Sequence, residues 1–205
     1  MARKPRTEMI ETTRRKLIET ARQQFGTVGY ANTVMDELTA KAGMTRGALY
    51  HHFGDKKGLF LAVLQQIDAE MDDRLKEISK RETDNWTAFT RRCHAYLAMA
   101  IEPEIQRIVL CDASSVLDAE QLQHTKLQCI DSIAYMLNRL MEEGQITTVS
   151  PHILARFING GLMDTALWIA KSQHPDKALS DALDSLDTLL NGLKINKFNE
   201  INIFK

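Results

Sequence analysis

From Leu17 to Leu193 apolar side chains return every three or four residues, and no β-branched run alternates with polar residues over a strand's length. A spacing of three and four lines up one face of a helix, whereas a half-buried strand needs a period of two. The chain is therefore read as all-α. Only Pro5, Pro103, Pro151 and Pro175 interrupt it as imino acids. The first helix is expected over about residues 12–25, with Leu17, Ile18, Ala21 and Phe25 on one stripe and Gly26 and Gly29 beyond its end. Thr33-Val-Met-Asp36 has the form of a capping box opening a short second helix that stops near Lys41. Ala42-Gly43-Met44 is a tight turn, Thr45 caps a third helix running through His52, and Asp55 caps a long fourth. That fourth helix turns Leu59, Phe60, Val63, Leu64, Ile67 and Met71 inward. Further helices are predicted over about 86–101, 104–118 (broken near Ser114-Ser115), 121–143, 151–171 and 176–193, followed by a loosely ordered tail.

The 205 residues are enough for one large domain or two small ones, and 44% hydrophobic with 26% charged residues is a globular composition. No apolar run is long enough for a bilayer, and no apolar segment follows the basic N-terminus as a secretory signal requires. Cys93, Cys111 and Cys129 are odd in number and far apart, which suits a reducing cytoplasm and gives neither a disulfide framework nor a zinc spacing. Net charge is −1, yet residues 1–60 carry 11 Lys and Arg against 6 Asp and Glu, and the remainder is acidic. One end of the chain is thus suited to a polyanion and the other is not.

The segment from Thr33 to His52 has helix-turn-helix grammar: two short helices joined by a turn holding Gly43. Arg46, at the start of the second, has the fork that donates two hydrogen bonds to one guanine edge. Gly47 and Ala48 are small enough for close backbone approach to DNA. Thr45, Tyr50 and His51 offer donors at phosphate height, and Lys56 adds charge where helix amides also face an anion. The basic arm Arg3-Lys4-Pro5-Arg6 is placed to reach phosphates or a minor groove. His51 and His52 do not form a metal pair, because neighbours on a helix point about 100° apart. No metal and no cofactor are expected.

The run from Thr13 to Ala21, then Phe25-Gly26, Gly29-Tyr30, Ala42-Gly43-Met44-Thr45-Arg46-Gly47-Ala48-Leu49-Tyr50-His51-His52-Phe53 and Lys56, resembles the TetR/AcrR family of bacterial repressors. The resemblance implies an all-α homodimer: a three-helix DNA-binding domain (residues 1–55), a ligand-binding and dimerisation domain (56–195) and a tail (196–205). It lends Thr33, Thr45, Tyr50, His51 and Lys56 a phosphate-binding role, Arg46 and Gly47 a base-contact role, and Leu49 and Phe53 a packing role. Val34 departs from the pattern, standing where a second hydroxyl is usual, and Lys57 replaces a common acidic residue. The C-terminal stretch resembles the family more loosely. There, helices over about 151–171 and 176–193 look like the pair through which members dimerise, and Gly160-Gly161 permits close helix approach.

Trp86, Phe89, Tyr96, Met99, Met163 and Trp168 are the candidate ligand contacts, although aromatic and Met residues at helical spacing are more often plain core. Asp112, Asp118 and Asp164 are read as exposed carboxylates rather than partners of a cationic ligand. The cysteines are read as packing residues. No Ser/His/Asp set, Gly-rich phosphate loop or zinc spacing marks an enzyme. The expected function is repression from a palindromic operator in double-stranded DNA, relieved by an unknown small molecule, with an efflux pump as the candidate target. An activator, or a DNA-binding regulator without ligand control, has the same helix-turn-helix and is the alternative.

Overall fold

The computed structural model describes residues 6–195, without the side chains of Arg6 and residues 123–126. The side chains of the arm and the tail 196–205 lie outside the described residues. The elements are α1 (Arg6–Asn32), α2 (Met35–Ala42), α3 (Arg46–Phe53), α4 (Lys56–Lys80) and α5 (Asn85–Ala98). A 3₁₀ turn (Met99–Ile101) and a π-helical segment (Ile105–Asp112) follow, then α6 (Ala113–Val116), α7 (Ala119–Glu142), α8 (Pro151–Lys171) and α9 (Pro175–Asn191). Among the described residues there is no strand, and one isolated antiparallel bridge pairs Ile146 with Lys194.

The chain forms two compact units: residues up to Asp72 with Glu102–Leu122, and Asp73–Ile101 with the residues from Gln123 onward. In the first, the stripe Leu17, Ile18, Ala21 and Phe25 is buried together with Leu38, Leu49, Leu59, Phe60, Val63 and Ile67. The Phe25 and Phe60 rings meet edge-on with centroids 5.2 Å apart, and Tyr30 joins them 5.1 Å from Phe60. Each side chain so buried contributes about 2 kcal/mol relative to exposure. In the second, Phe89, Leu97 and Met99 share the interior with Ile130, Leu137, Leu140, Ala155 and Ile169.

Three local expectations change. First, α1 begins at Arg6 and passes Phe25: nothing before Thr12 breaks a helix, Glu8 suits its first turn, and Gly26 is simply tolerated. The break comes at Gly29, whose φ of 82° is open to glycine at little steric cost. Second, the capping box does not form. Val34 occupies the N-cap without a side-chain bond, because the Thr33 hydroxyl donates backward to the Gly29 carbonyl at 2.8 Å. Third, Ser114-Ser115 lie within α6 instead of breaking it; the irregularity is the π-helical segment just upstream, where neither Gly nor Pro announces it. Elsewhere the punctuation acts as read. Thr45 accepts from the Ala48 amide at 3.2 Å, Asp55 from Gly58 at 2.6 Å, and Gly144 closes α7 at φ 66°.

Candidate nucleic-acid interface

The turn between α2 and α3 is fixed from both sides. Gly43 adopts φ 65°, its amide donates to the Ala40 carbonyl at 3.0 Å, and Met44 donates to that of Thr39 at 2.9 Å. Leu38 and Leu49 are fully buried and hold the two helices to α1 and each other. With Leu49 inward, the 3.6-residue period turns Gly47, Tyr50 and His51 away from it, while Thr45 and Arg46 stand at the open start of the helix, and all five are exposed. Phe53 is half-buried beneath the Arg14 guanidinium, which lies 5.7 Å from its ring centre. Where α3 gives way to α4, a Cβ on Gly58 would run into the Phe53 carbonyl oxygen, so only glycine fits. The result is a short helix with its apolar side held on three sides and its polar side open to solvent.

Arg46 is held in readiness by its own chain. Its guanidinium reaches Asp36 at 3.2 Å and the Tyr50 hydroxyl at 3.4 Å, and it lies over the Tyr50 ring at 5.9 Å. The Tyr50 hydrogen bond, then Asp36, raise its pKa further. These contacts are solvent-exposed, so a base or phosphate can displace them at small cost. Tyr50 is 46% exposed, its ring on the surface. Lys56, at the first turn of α4, is half-buried with its ammonium 4.5 Å over the Tyr30 ring, and burial lowers its pKa. Burial, then His51, then Arg14, likewise lower the pKa of His52. Thr33 is placed differently from the rest: it is buried, and its hydroxyl and amide both bond within the chain. Lys57 pairs with Asp118 at 3.0 Å.

Sequence reasoning missed the network that steadies this surface inside the first unit. Arg22 on α1 forks onto Glu104 at 2.6 and 2.7 Å and reaches Glu70 on α4 at 2.7 Å. Those hydrogen bonds raise the Arg22 pKa, and Arg22 in turn lowers that of Glu70. The Tyr30 amide, freed at the Gly29 break, donates to Asp112 at 2.8 Å. Asp112 was expected to be merely exposed; it is half-buried and bonded, and Asp118 caps α7 through the Gln121 amide at 3.0 Å. Residues 82 apart in sequence carry no local signal of such pairing.

The six candidate ligand residues do not converge. Phe89 and Met99 are core, and Trp86 packs on Phe89 at 6.4 Å with the Lys194 ammonium 4.4 Å over its ring. Tyr96 is half-buried, whereas Met163 and Trp168 are exposed on α8. Trp168 instead lines an open apolar groove of about 430 Å³ between α8 and α9, with Phe157, Gly161, Leu162, Leu186 and Leu189. Phe157 is 75% exposed and Leu189 60%. The Cys93 thiol is fully enclosed, and burial pushes its pKa up to about 12.

Two family descriptions match the chain: "Bacterial regulatory proteins, tetR family" over residues 17–63, and "Tetracyclin repressor-like, C-terminal domain" over residues 86–193. A crystal structure of a TetR-family transcriptional regulator from Pectobacterium atrosepticum is 46% identical, with a TM-score of 0.85 over 94% of this chain and 99% of that one. The transposon Tn10 TetC protein of Escherichia coli is 27% identical over 78% of this chain and 81% of its own. The HTH-type transcriptional repressor AcnR of Corynebacterium glutamicum is also 27% identical, over 85% of this chain and 90% of its own.

Proposed function

The chain belongs to the TetR family of DNA-binding transcriptional regulators, and from that premise we propose that it is a cytoplasmic repressor released from a palindromic operator by a small molecule. The observation that carries the DNA half is the outward face of α3: Thr45, Arg46, Gly47, Tyr50 and His51 exposed together, with Lys56 beside them. Arg46 reads a base edge, Gly47 allows the approach, and the others meet phosphates. Thr33, buried as it is, serves by shaping the entry to α2. Residues 1–55 would act as the reader, and 56–195 as the ligand-binding and dimerising part.

Two copies are expected to join through α8 and α9, because an apolar groove with Phe157, Trp168 and Leu189 exposed on it is costly to leave in water. Two-fold symmetry then requires operator half-sites about one helical turn or slightly more apart. The effector binds within the second part and favours a state with low operator affinity. Linkage makes this reciprocal, so operator must weaken effector binding by the same factor.

Footprinting of the purified protein across genomic DNA, at physiological and at high salt, tests the proposal. A short palindrome protected in both conditions is the expected result, and the adjacent gene then tests control of an efflux pump. Protection without sequence preference, abolished everywhere by salt, would overturn it. Activation from the same site in a transcription assay would replace repressor by activator.

A further inference from the structure

Within the second unit, the last turns of α4, the first half of α5 and the middle of α7 enclose a groove of about 520 Å³. Its walls reverse the local sign of charge: beyond residue 60 the chain is acidic, yet Lys76, Lys80, Arg92 and Arg139 line the groove against one carboxylate, Glu82. Lys76 and Lys80 stand one turn apart on α4, while Arg92 and Arg139 come from α5 and α7, so three separate helices deliver positive charge to one concavity. Glu82 is already bonded to Arg91 outside the groove, at 2.5 Å. Lys80 pairs with Glu77 at 2.9 Å, an exposed contact that an incoming anion can displace. Arg92 is only 8% exposed, a depth at which a guanidinium is fixed in place rather than sampling solvent. Lys76 and Arg92 also engage other groups of the chain, so an incoming anion would join or exchange existing contacts on a wall that is concave and mostly positive. On the same wall as Arg139, one turn earlier on α7, Tyr135 is 66% exposed among the described residues and offers an apolar ring to the groove.

We propose that this groove binds a small organic anion whose carboxylate or phosphate meets Lys76, Arg92 and Arg139 while a flat apolar body lies on Tyr135. Charge-assisted donors from Arg and Lys give the headgroup its affinity, and the ring adds apolar contact that an inorganic anion cannot make. The consequence for DNA rests on the effector reading above, whereas binding itself does not.

Isothermal titration of the full-length protein with benzoate, phenyl phosphate, inorganic phosphate and benzyl alcohol tests the site. Benzoate, phenyl phosphate or both should bind at least about tenfold more tightly than benzyl alcohol and than inorganic phosphate. Arg139→Gln and Lys76→Gln, both at exposed positions, should each weaken that binding about tenfold with circular dichroism unchanged. Whichever organic anion binds more tightly identifies the headgroup. Equal binding of benzyl alcohol, equal binding of inorganic phosphate, or indifference to both substitutions would overturn the proposal. Operator affinity measured with the bound anion separates the two readings. Unchanged affinity would sink the effector role and leave the groove standing, whereas no anion binding would sink the groove and leave the effector another site.

Discussion

The outward faces of α3 and of α8 with α9 are both open among the described residues, yet they differ in what they leave unfinished. On α3 the exposed groups are mostly polar and already lightly occupied: Arg46 rests on Asp36 and Tyr50. On α8 and α9 they are large and apolar, with Phe157, Trp168 and Leu189 more than half exposed. The first surface exchanges one set of polar contacts for another when a partner arrives, so its affinity is governed by salt. The second gains by removing apolar area from water, so salt hardly touches it. On the proposed reading, the partner for α3 is a polyanion and the partner for α8 and α9 is the same helix pair of a second copy.

Four experiments sharpen or break that contrast. Phe157→Glu with Leu189→Glu should convert a dimer to monomers in light scattering and cut operator affinity by roughly a hundredfold or more, since one half-site then binds alone. Monomers with full operator affinity would break the assignment. Arg46→Ala should weaken operator binding roughly tenfold or more in fluorescence anisotropy and relax preference at one base position, leaving the dimer intact. Arg22→Gln should leave both faces in place but lower stability by about 1 kcal/mol at neutral pH, seen as a reduced melting temperature. The pH dependence has a definite sign. Glu70 is held below its ordinary 4.5 by Arg22, so its contribution is complete above that value and disappears as pH falls through the depressed one. The gap between wild type and Arg22→Gln should therefore narrow below about pH 4.5; a gap that widens in acid would discard the Arg22–Glu70 account. Lys56→Ala has the smallest effect, a weakening uniform across sequences with the salt slope reduced by about one.

The helix-turn-helix was legible because each of its parts is a residue type at a fixed offset. Gly43 is needed for the turn, Thr45 for the cap and Leu49 for the anchor, and these are local demands written in local sequence. The stripes of α1, α4 and α7 were legible for the same reason. Periodicity names the apolar face of a helix, however, not what that face meets. Met163 and Trp168 therefore read in the same way as Phe89 and Met99, although the first two are exposed on α8, Trp168 on the open groove, and the last two are core. Thr33 was misread as a cap because the competing acceptor, the Gly29 carbonyl, appears only once Gly29 has turned the chain. The Arg22–Glu104 and Tyr30–Asp112 bonds span more than eighty residues and depend on the π-helical segment, which no residue signal marks.

Gly58 carries a consequence for anyone who would re-address this regulator to a new DNA sequence. Because any side chain there strikes the Phe53 carbonyl, position 58 at the start of α4 admits only glycine, while Arg46, Gly47 and Tyr50 are exposed. The portable cassette is therefore bounded: α3 can be rewritten from Arg46 to His51 around a retained Leu49, but a graft that imports a foreign α4 start must import glycine with it.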